Sequence, residues 1–201
     1  TNTSPITLSF ELSGSSEESE QVTKLDGLFN INTNVTLGLT GTATNLIEAL
    51  PGFVGLNVEY LSNFAGLFVK ANNASVDEIQ TLVDGYGGFG DAVQLSILVL
   101  DTADHISDAL QSNSNPFFGD HIVSITASDA GPVHTNIAGA EFLRSHGFVG
   151  SYDVTDTIDN IIGDTGTSSE LAALGANNLM VEGYVTIKQA IQPVSYTHLT
   201  L

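Results

Sequence analysis

Asp101-Thr102-Ala103-Asp104-His105-Ile106 is the segment that best indicates the architecture of this chain, because its pattern occurs three times. The other copies are Gly41-Thr42-Ala43-Thr44-Asn45-Leu46 and Asp156-Thr157-Ile158-Asp159-Asn160-Ile161. Each copy follows an apolar or alternating run that is typical of a strand, and the first two open a pattern with apolar residues four apart, which indicates a helix. The sequence therefore predicts one strand-to-helix junction at three places.

A second kind of strand-helix unit alternates with the first. Its helices are expected to begin near Ser75, Asn136 and Thr186, where capping-type residues precede apolar runs of helical spacing. Strands that alternate with helices favour crossover connections and a parallel sheet. We therefore predict the α/β class, with repeated strand-helix units stacked as a parallel-sheet, solenoid-like array in which neighbouring repeats bury each other's apolar sides. A compact α/β domain is the alternative.

The predicted array is a single domain that covers residues 1–193. Residues 194–201 differ in composition and resemble a translated sequencing adapter, so we expect them to lie outside the fold. The chain starts without Met or a charged leader, so we also expect a fragment of a longer protein. The approximate repeats are a partial one at 1–30, followed by 31–90, 91–149 and 150–193.

The charge and the cysteine count exclude several classes of protein. Lys and Arg number 4 against 23 Asp and Glu, which leaves a net charge of −19. This charge excludes a nucleic-acid binder that works through basic patches, and it argues against docking on anionic membranes. The absence of cysteine excludes disulfide scaffolds, thiolate zinc sites and cysteine nucleophiles.

Acidic residues recur at the two junctions that begin with aspartate. Asp101 and Asp104 are three positions apart, as are Asp156 and Asp159. The first residue of each pair is predicted to cap its helix by accepting a hydrogen bond from a free amide, worth about 1 kcal/mol. Stacked repeats would bring both pairs to one edge, where their oxygens suit Ca²⁺. These four residues are the candidate metal site, with calcium as the ion that their oxygens would suit; no cofactor is otherwise expected, and capping with a solvated acidic surface is the other explanation.

Sequence motifs of catalysis are missing. The chain has no Gly-x-Ser-x-Gly, His-Glu-x-x-His or P-loop motif, and the histidines before residue 194 lack metal-ligand spacing. The glycine-rich segment Gly85–Gly90 follows a helix pattern, so we interpret it as a turn and not as a phosphate loop. We therefore expect no enzyme. An acidic hydrolase with a carboxylate pair that the sequence does not locate is the alternative.

The Asp-Thr-Ala-x-x-Ile segment, with its interleaved strand and Ala-bearing helix, resembles repeats of very large secreted or surface proteins of bacteria. These are adhesin-like proteins and proteins with haemolysin-type calcium-binding repeats, and the resemblance covers residues 31–191. It implies an extracellular, multi-repeat scaffold of structural or adhesive function without catalytic residues. The implied partners are neighbouring repeats of the parent chain, a surface ligand and calcium; a calcium-dependent binding module is the second candidate function.

Overall fold

The computed structural model describes residues 6–12, 35–54, 66–87, 93–112, 120–162 and 175–183. Within these ranges strands alternate with helices. The strands are β1 (Ile6–Leu12), β2 (Val35–Thr42), β3 (Gly66–Ala74), β4 (Val93–Asp101), β5 (Ile122–Ala127), β6 (Val133–Thr135), β7 (Tyr152–Thr157) and β8 (Asn178–Glu182). The helices are α1 (Ala43–Val54), α2 (Val76–Gly87), α3 (Ala103–Gln111), α4 (Ile137–Ser145) and α5 (Ile158–Ile162).

The strands form two sheets in which spatial order follows chain order. β1 to β5 make up one sheet in the order β1-β2-β3-β4-β5, and β6, β7 and β8 make up the other. The pairs β1–β2, β2–β3, β3–β4, β6–β7 and β7–β8 are all parallel. Parallel neighbours need a crossover connection, and helices α1 and α2 stand in the two crossovers from β2 to β4. The predicted α/β class with parallel strands and alternating strand-helix units is confirmed.

The chain divides into two compact units. Unit 1 comprises residues 1–100 and 119–123, and unit 2 comprises residues 101–118 and 124–201. Two predicted features lie outside the described residues, namely the helix expected near Thr186 and the segment 194–201. The helices expected near Ser75 and Asn136 begin at the following residue in each case, as α2 and α4.

The core of unit 1 packs on one face of its sheet. Leu37 on β2 pairs with Leu67 on β3, which pairs with Val93 on β4, and all three side chains are buried. The alternate residues of these strands point to the other face, where Phe68 is 44% exposed. This alternation is the pattern of a sheet with one packed face and one face in water.

Helices α1 and α2 pack against each other in the described part of unit 1. The hydroxyl of buried Tyr86 donates a hydrogen bond to the carbonyl of Leu46 at 2.9 Å, and burial raises the pKa of this phenol. A Cβ at Gly85 would lie 2.5 Å from Leu50 Cδ1, so only glycine fits here without a shift of Leu50. The predicted turn at Gly85–Gly90 is therefore wrong at its start, because α2 continues to Gly87. Residues 88–90 lie outside the described part of the chain.

The start of α2 shows why the sequence folds as it does at this junction. Glu78 Oε2 accepts hydrogen bonds from both the backbone amide and the hydroxyl of Ser75, at 2.9 and 2.8 Å. This Ser-x-x-Glu arrangement is the backward half of a capping box, and it satisfies an amide outside the helical ladder. Glu78 Oε1 also accepts from the hydroxyl of Thr44 on α1 at 2.7 Å, so one side chain ties the two helix starts together.

The core of unit 2 is also apolar. The side chains of Ile106 on α3 and Leu143 on α4 are fully buried. The sequence did not indicate β6, a three-residue strand, or the single parallel bridge between Thr126 and Val149. Both elements are too short to show a periodicity of their own.

Candidate functional site

The three predicted junctions have the same local structure. In each, a threonine lies at the boundary between a strand and the following helix, and its hydroxyl oxygen accepts a hydrogen bond from the backbone amide three residues later. The distance is 3.3 Å for Thr42, 3.3 Å for Thr102 and 3.4 Å for Thr157. The residue four positions after each threonine is buried: Leu46, Ile106 and Ile161. We call these three sites the threonine corners; a strand-to-helix junction is present at each of the three predicted places.

The aspartate before the threonine is not the helix cap, which corrects the sequence interpretation. The N-cap of α3 is Thr102, one residue later than predicted, because its hydroxyl already reaches the amide of His105. Asp101 Oδ1 instead accepts from the backbone amide of Thr102 at 2.7 Å. Asp156 Oδ1 makes the same bond to the amide of Thr157, also at 2.7 Å.

The same carboxylate oxygens meet the side chain four residues further on. His105 Nδ1 lies 3.1 Å from Asp101 Oδ1, and Asn160 Nδ2 donates to Asp156 Oδ1 at 2.7 Å. Each aspartate therefore links the end of its strand to the first turn of its own helix. Asp101 is 9% exposed, so its contacts are partly shielded from water.

The first corner has glycine where the others have aspartate. A Cβ at Gly41 would lie 3.1 Å from the carbonyl oxygen of Leu12 and 3.2 Å from its Cβ, so β1 leaves little room for a side chain. Asn45, which has no carboxylate to contact here, donates its Nδ2 hydrogen bond to the carbonyl of Leu12 at 2.9 Å. A backbone acceptor thus takes the place of the aspartate.

Acidic side chains of unit 2 also cap helices that belong to an earlier part of the chain. Asp156 Oδ2 accepts from the amide of Ile137, the first residue of α4, at 3.0 Å. Asp129 Oδ1 accepts from the amide of Ala103, the first residue of α3, at 3.0 Å. The first amides of a helix lack partners within the helix and lie at its positive end, so a carboxylate there is doubly favourable.

A histidine, an aspartate and an asparagine line up across the three-stranded sheet. His134 on β6 pairs in register with Asp153 on β7, which pairs with Asn178 on β8. Asn178 donates from its backbone amide and from Nδ2 to Asp153 Oδ1, at 3.1 and 3.0 Å. His134 Nδ1 lies 3.7 Å from Asp153 Oδ2. Asp153 is therefore oriented by both neighbouring strands.

The four residues of the predicted metal site occupy two kinds of position. Asp101 and Asp156 are held by backbone amides, whereas Asp104 and Asp159 are exposed in the first turns of α3 and α5. Among the residues that the structure describes, no three His, Asp or Glu side chains come together in a way that would hold a metal ion. Calcium binding at these four residues stays a prediction.

The sequence did not indicate that Asp129 contacts the start of α3, or that Asn178 contacts Asp153. No local pattern marks them, because each acts on a residue at least 25 positions away. Only the register between strands brings them into contact. The interpretation of the histidines as surface or loop residues fits His105 and His134, whose side chains are 63% and 61% exposed, although His134 lies on a strand.

No protein-family model, curated protein or solved structure matches the chain. In the described ranges, none of the helices combines the length and the hydropathy that a membrane-spanning segment requires.

Proposed function

We propose that this chain is a non-catalytic part of a repeat-built extracellular scaffold, structural or adhesive in role, in which strand-helix modules stack as a solenoid-like array. The observation that carries the proposal is the set of threonine corners. Three junctions, spaced by about one repeat along the chain, use the same hydroxyl-to-amide hydrogen bond and bury the same position of the following helix. Such a shared junction is typical of proteins built from one repeated module.

The order of the strands also supports an array. In doubly wound α/β domains the strand order reverses, and ligands bind in the crevice at that reversal. Here β1 to β5 follow one another in space as they do in the sequence. A sheet ordered in this way grows by one strand with each module. The order β1 to β5 does not reverse, so these strands lack the crevice in which doubly wound domains bind ligands.

The exposed face of the sheet supports the same proposal. Strands of doubly wound sheets are covered by helices on both faces and therefore read as continuous apolar runs. Strands β3 and β4 instead alternate buried residues with exposed or half-buried ones. Helices on a single face are what a stack of strand-helix modules requires.

The aspartates favour a structural role over a catalytic one. A general acid or base needs a carboxylate that can reach a substrate and exchange a proton with it. Asp101 and Asp156 instead accept hydrogen bonds from backbone amides, which occupy the oxygens that a substrate would have to reach. In this proposal the two aspartates hold strands and helices together. The partners of the scaffold are neighbouring modules and a surface ligand.

The experiment that tests the array is the removal or the duplication of one module. Deletion of residues 67–92 joins Gly66 to Val93 and places Val93 opposite Leu37, where Leu67 now lies. An array tolerates this change, so the deletion variant and a variant with residues 67–92 duplicated both fold and unfold cooperatively in urea. By small-angle scattering the duplicated variant is longer by about 4.8 Å, one strand spacing. A compact α/β domain would lose its core in both variants.

The non-catalytic role is tested separately. The wild-type protein is incubated with a panel of chromogenic glycosides and esters, beside Asp101→Asn and Asp153→Asn. We expect no hydrolysis above the buffer rate. Hydrolysis by the wild type that either substitution abolishes would establish the hydrolase alternative instead.

A further inference from the structure

The face of the first sheet that lies opposite its buried core carries an exposed aromatic ring in a polar surrounding. On this face Phe68 of β3 pairs in register with Gly38 of β2 on one side and with Gln94 of β4 on the other. Ser9 of β1 pairs with Gly38, so the four residues form one row across the sheet. Phe68 is 44% exposed, and Ser9 and Gln94 are exposed as well. The row therefore presents one aromatic ring to water between two groups that form hydrogen bonds.

A second row, two residues further along the strands, adds more hydrogen-bonding groups. It consists of Glu11, Thr40, Lys70 and Ser96, which pair in register from β1 to β4. Glu11 and Lys70 are exposed, while Thr40 and Ser96 are half-buried. One carboxylate and one ammonium leave the two rows without net charge, although the chain as a whole carries −19. This part of the surface is thus locally neutral.

Glycine keeps the surface around Phe68 low. A Cβ at Gly66, two residues before Phe68, would lie 3.4 Å from Phe68 Cε2, so the ring leans over this glycine. At Gly38, beside Phe68, a Cβ would lie 3.3 Å from Ser9 Oγ. Because Gly38 carries no side chain, a flat ligand can approach the ring from the side of β2.

The size and the composition of this face disfavour a protein partner. Four strands at a spacing of about 4.8 Å span about 14 Å, and nine residues extend over about 30 Å, so β1 to β4 offer about 400 Å² in projection. Each partner of a stable protein complex buries about 800 Å². The cores of such interfaces are apolar, whereas Phe68 is the one large apolar side chain of the two rows. A second copy of the chain would also bring −19 against −19.

A neutral sugar chain matches the face in its chemistry. A pyranose ring has an apolar side of C–H groups, which stack on the negative face of an aromatic ring, and hydroxyl groups around its rim. The amide of Gln94 and the ammonium of Lys70 can bind such hydroxyl groups, because both side chains are exposed beside Phe68. A few placed polar groups around an apolar contact are what orients a small ligand. The charge of −19 repels nucleic acids and acidic polysaccharides, so it favours an uncharged ligand.

We propose that Phe68, with Gln94 and Lys70 beside it, forms a platform that binds neutral polysaccharide. One sugar ring stacks on Phe68, and its hydroxyl groups bind Gln94 and Lys70. The polar groups of the rows continue on both sides of Phe68, so a chain of several sugar rings makes more contacts than a single ring. This inference rests on the adhesive role proposed above and identifies the surface ligand as a glycan.

The first test uses the absence of tryptophan from the chain. Phe68→Trp keeps an aromatic ring on the platform and makes it the single indole fluorophore. Met180→Trp places the same fluorophore at another exposed strand position, in unit 2, and serves as the control. Both variants are titrated with linear oligosaccharides of glucose, mannose and xylose of increasing length. We expect a saturable change in emission for Phe68→Trp alone, with an affinity that rises at least about tenfold from the monosaccharide to the tetrasaccharide. An emission that does not change with any of these sugars, or equal changes in both variants, overturns the proposal.

The second test uses the unlabelled chain and native electrophoresis in gels that contain β-glucan, mannan or xylan. We expect at least one of these polymers to retard the wild type, with at least about tenfold weaker binding by Phe68→Ala and nearly full binding by Phe68→Tyr. Met180→Ala removes a still more exposed apolar side chain and should bind as the wild type does. Urea unfolding verifies that the variants are folded.

Three results of the electrophoresis would contradict the platform. These are a wild type that none of the neutral polymers retards, equal retardation of Phe68→Ala and the wild type, and retardation by the acidic polymer alginate in place of the neutral ones. Deletion and duplication of residues 67–92 test the array without any ligand. An array that passes those tests while the platform fails these leaves the structural scaffold in place and removes the glycan as its ligand.

Discussion

Asp156 on β7 accepts a hydrogen bond from the backbone amide of Ile137, the residue that begins α4, at 3.0 Å. The same carboxylate accepts from the amide of Thr157 and from the side chain of Asn160. One side chain thus joins the end of its own strand, the start of α5 and the start of the previous helix. Asp129 serves α3 in the same way through the amide of Ala103. These bonds connect consecutive strand-helix modules of unit 2.

Asp156→Ala is expected to lower the free energy of unfolding by about 1–3 kcal/mol, because the backbone amides of Ile137 and Thr157 lose their carboxylate acceptor. Asp108→Ala removes the same charge from an exposed position of α3 and should change stability by less than about 0.5 kcal/mol. Urea unfolding measures both values. Hydrogen exchange shows where the structure is weakened, because the amide of Ile137 should lose protection in Asp156→Ala. Equal effects of the two substitutions would contradict this role of Asp156.

The threonine corners predict a common effect of removing the hydroxyl. Thr102→Ala should cost about 1 kcal/mol, because the amide of His105 loses its acceptor at the helix start. Thr42→Ala and Thr157→Ala should act in the same direction, since their hydroxyls make the same bond. Thr102→Ser keeps the hydroxyl and serves as the control in urea unfolding. If the serine variant is as unstable as the alanine variant, the hydroxyl is not the cause.

Two glycines of α2 should respond in opposite ways to alanine. At Gly85 a new Cβ would lie 2.5 and 2.7 Å from the two Cδ atoms of Leu50, so Gly85→Ala should destabilise the protein by about 1–3 kcal/mol. Among the described residues, the atom nearest to a Cβ at Gly87 would be Val83 Cγ1 at 3.8 Å, so Gly87→Ala should be neutral or stabilising by up to about 1 kcal/mol. Thermal unfolding of the two variants and the wild type measures both changes in stability.

A double-mutant cycle identifies the source of the Gly85 effect. In a Leu50→Ala background the obstructing Cδ atoms are gone, and Gly85→Ala should then cost little. The cycle should give a coupling between the two positions of about 0.5–3 kcal/mol. A penalty at Gly85 that persists at full size would mean that the helix backbone, and not Leu50, causes it.

Tyr86 predicts a loss of stability at alkaline pH. Its pKa is raised in the folded protein by burial, so the unfolded chain releases the phenolic proton first. Ionisation of this phenol therefore leaves the free energy of unfolding unchanged below about pH 10, the ordinary pKa of tyrosine. Above that pH it lowers the free energy of unfolding by up to about 1.4 kcal/mol per pH unit. Tyr86→Phe lacks this proton, so its stability should fall less steeply between pH 10 and 11.

The phenylalanine variant also provides a control at neutral pH. There Tyr86→Phe should be less stable than the wild type by about 1 kcal/mol, because the buried carbonyl of Leu46 loses its donor. Urea unfolding at several pH values gives both quantities. Parallel pH profiles for the two proteins would show that another group causes the alkaline loss.

The net charge of −19 predicts that sodium chloride raises the Tm, because screening weakens repulsion within the folded chain. An unchanged or lower Tm would refute this explanation.

Thermal melts also test the calcium site predicted from Asp101, Asp104, Asp156 and Asp159. Calcium bound there raises the Tm beyond the effect of sodium chloride at matched ionic strength, and a chelator reverses the excess. Without an excess the site is refuted.

Local sequence was sufficient for the threonine corners because every interaction that defines them lies within a few residues. The hydroxyl of Thr102 reaches an amide three positions later, and Ile106 returns to the same side of the helix after one turn. Alternation of apolar and polar residues was sufficient for β3 and β4, because neighbouring side chains of a strand point to opposite faces. Such short-range rules do not depend on what the rest of the chain does.

The hydrogen bonds between distant parts of the chain could not be predicted in this way. Asp129 reaches the start of α3, and Asn178 reaches Asp153, because of the register between strands, which no local pattern records. The assignment of Asp101 as the cap was wrong by one residue, because the N-cap of α3 is Thr102, whose hydroxyl accepts from the amide of His105.

The amino-acid sequence by itself determined the alternation of strands and helices and the places of the three threonine corners, since these follow from hydrophobic spacing and from capping within one turn. Only the tertiary structure decided which carboxylates meet which amides, and that α2 extends to Gly87 against Leu50. Those outcomes depend on strand register and on the close approach of helices, which arise when distant parts of the chain pack together.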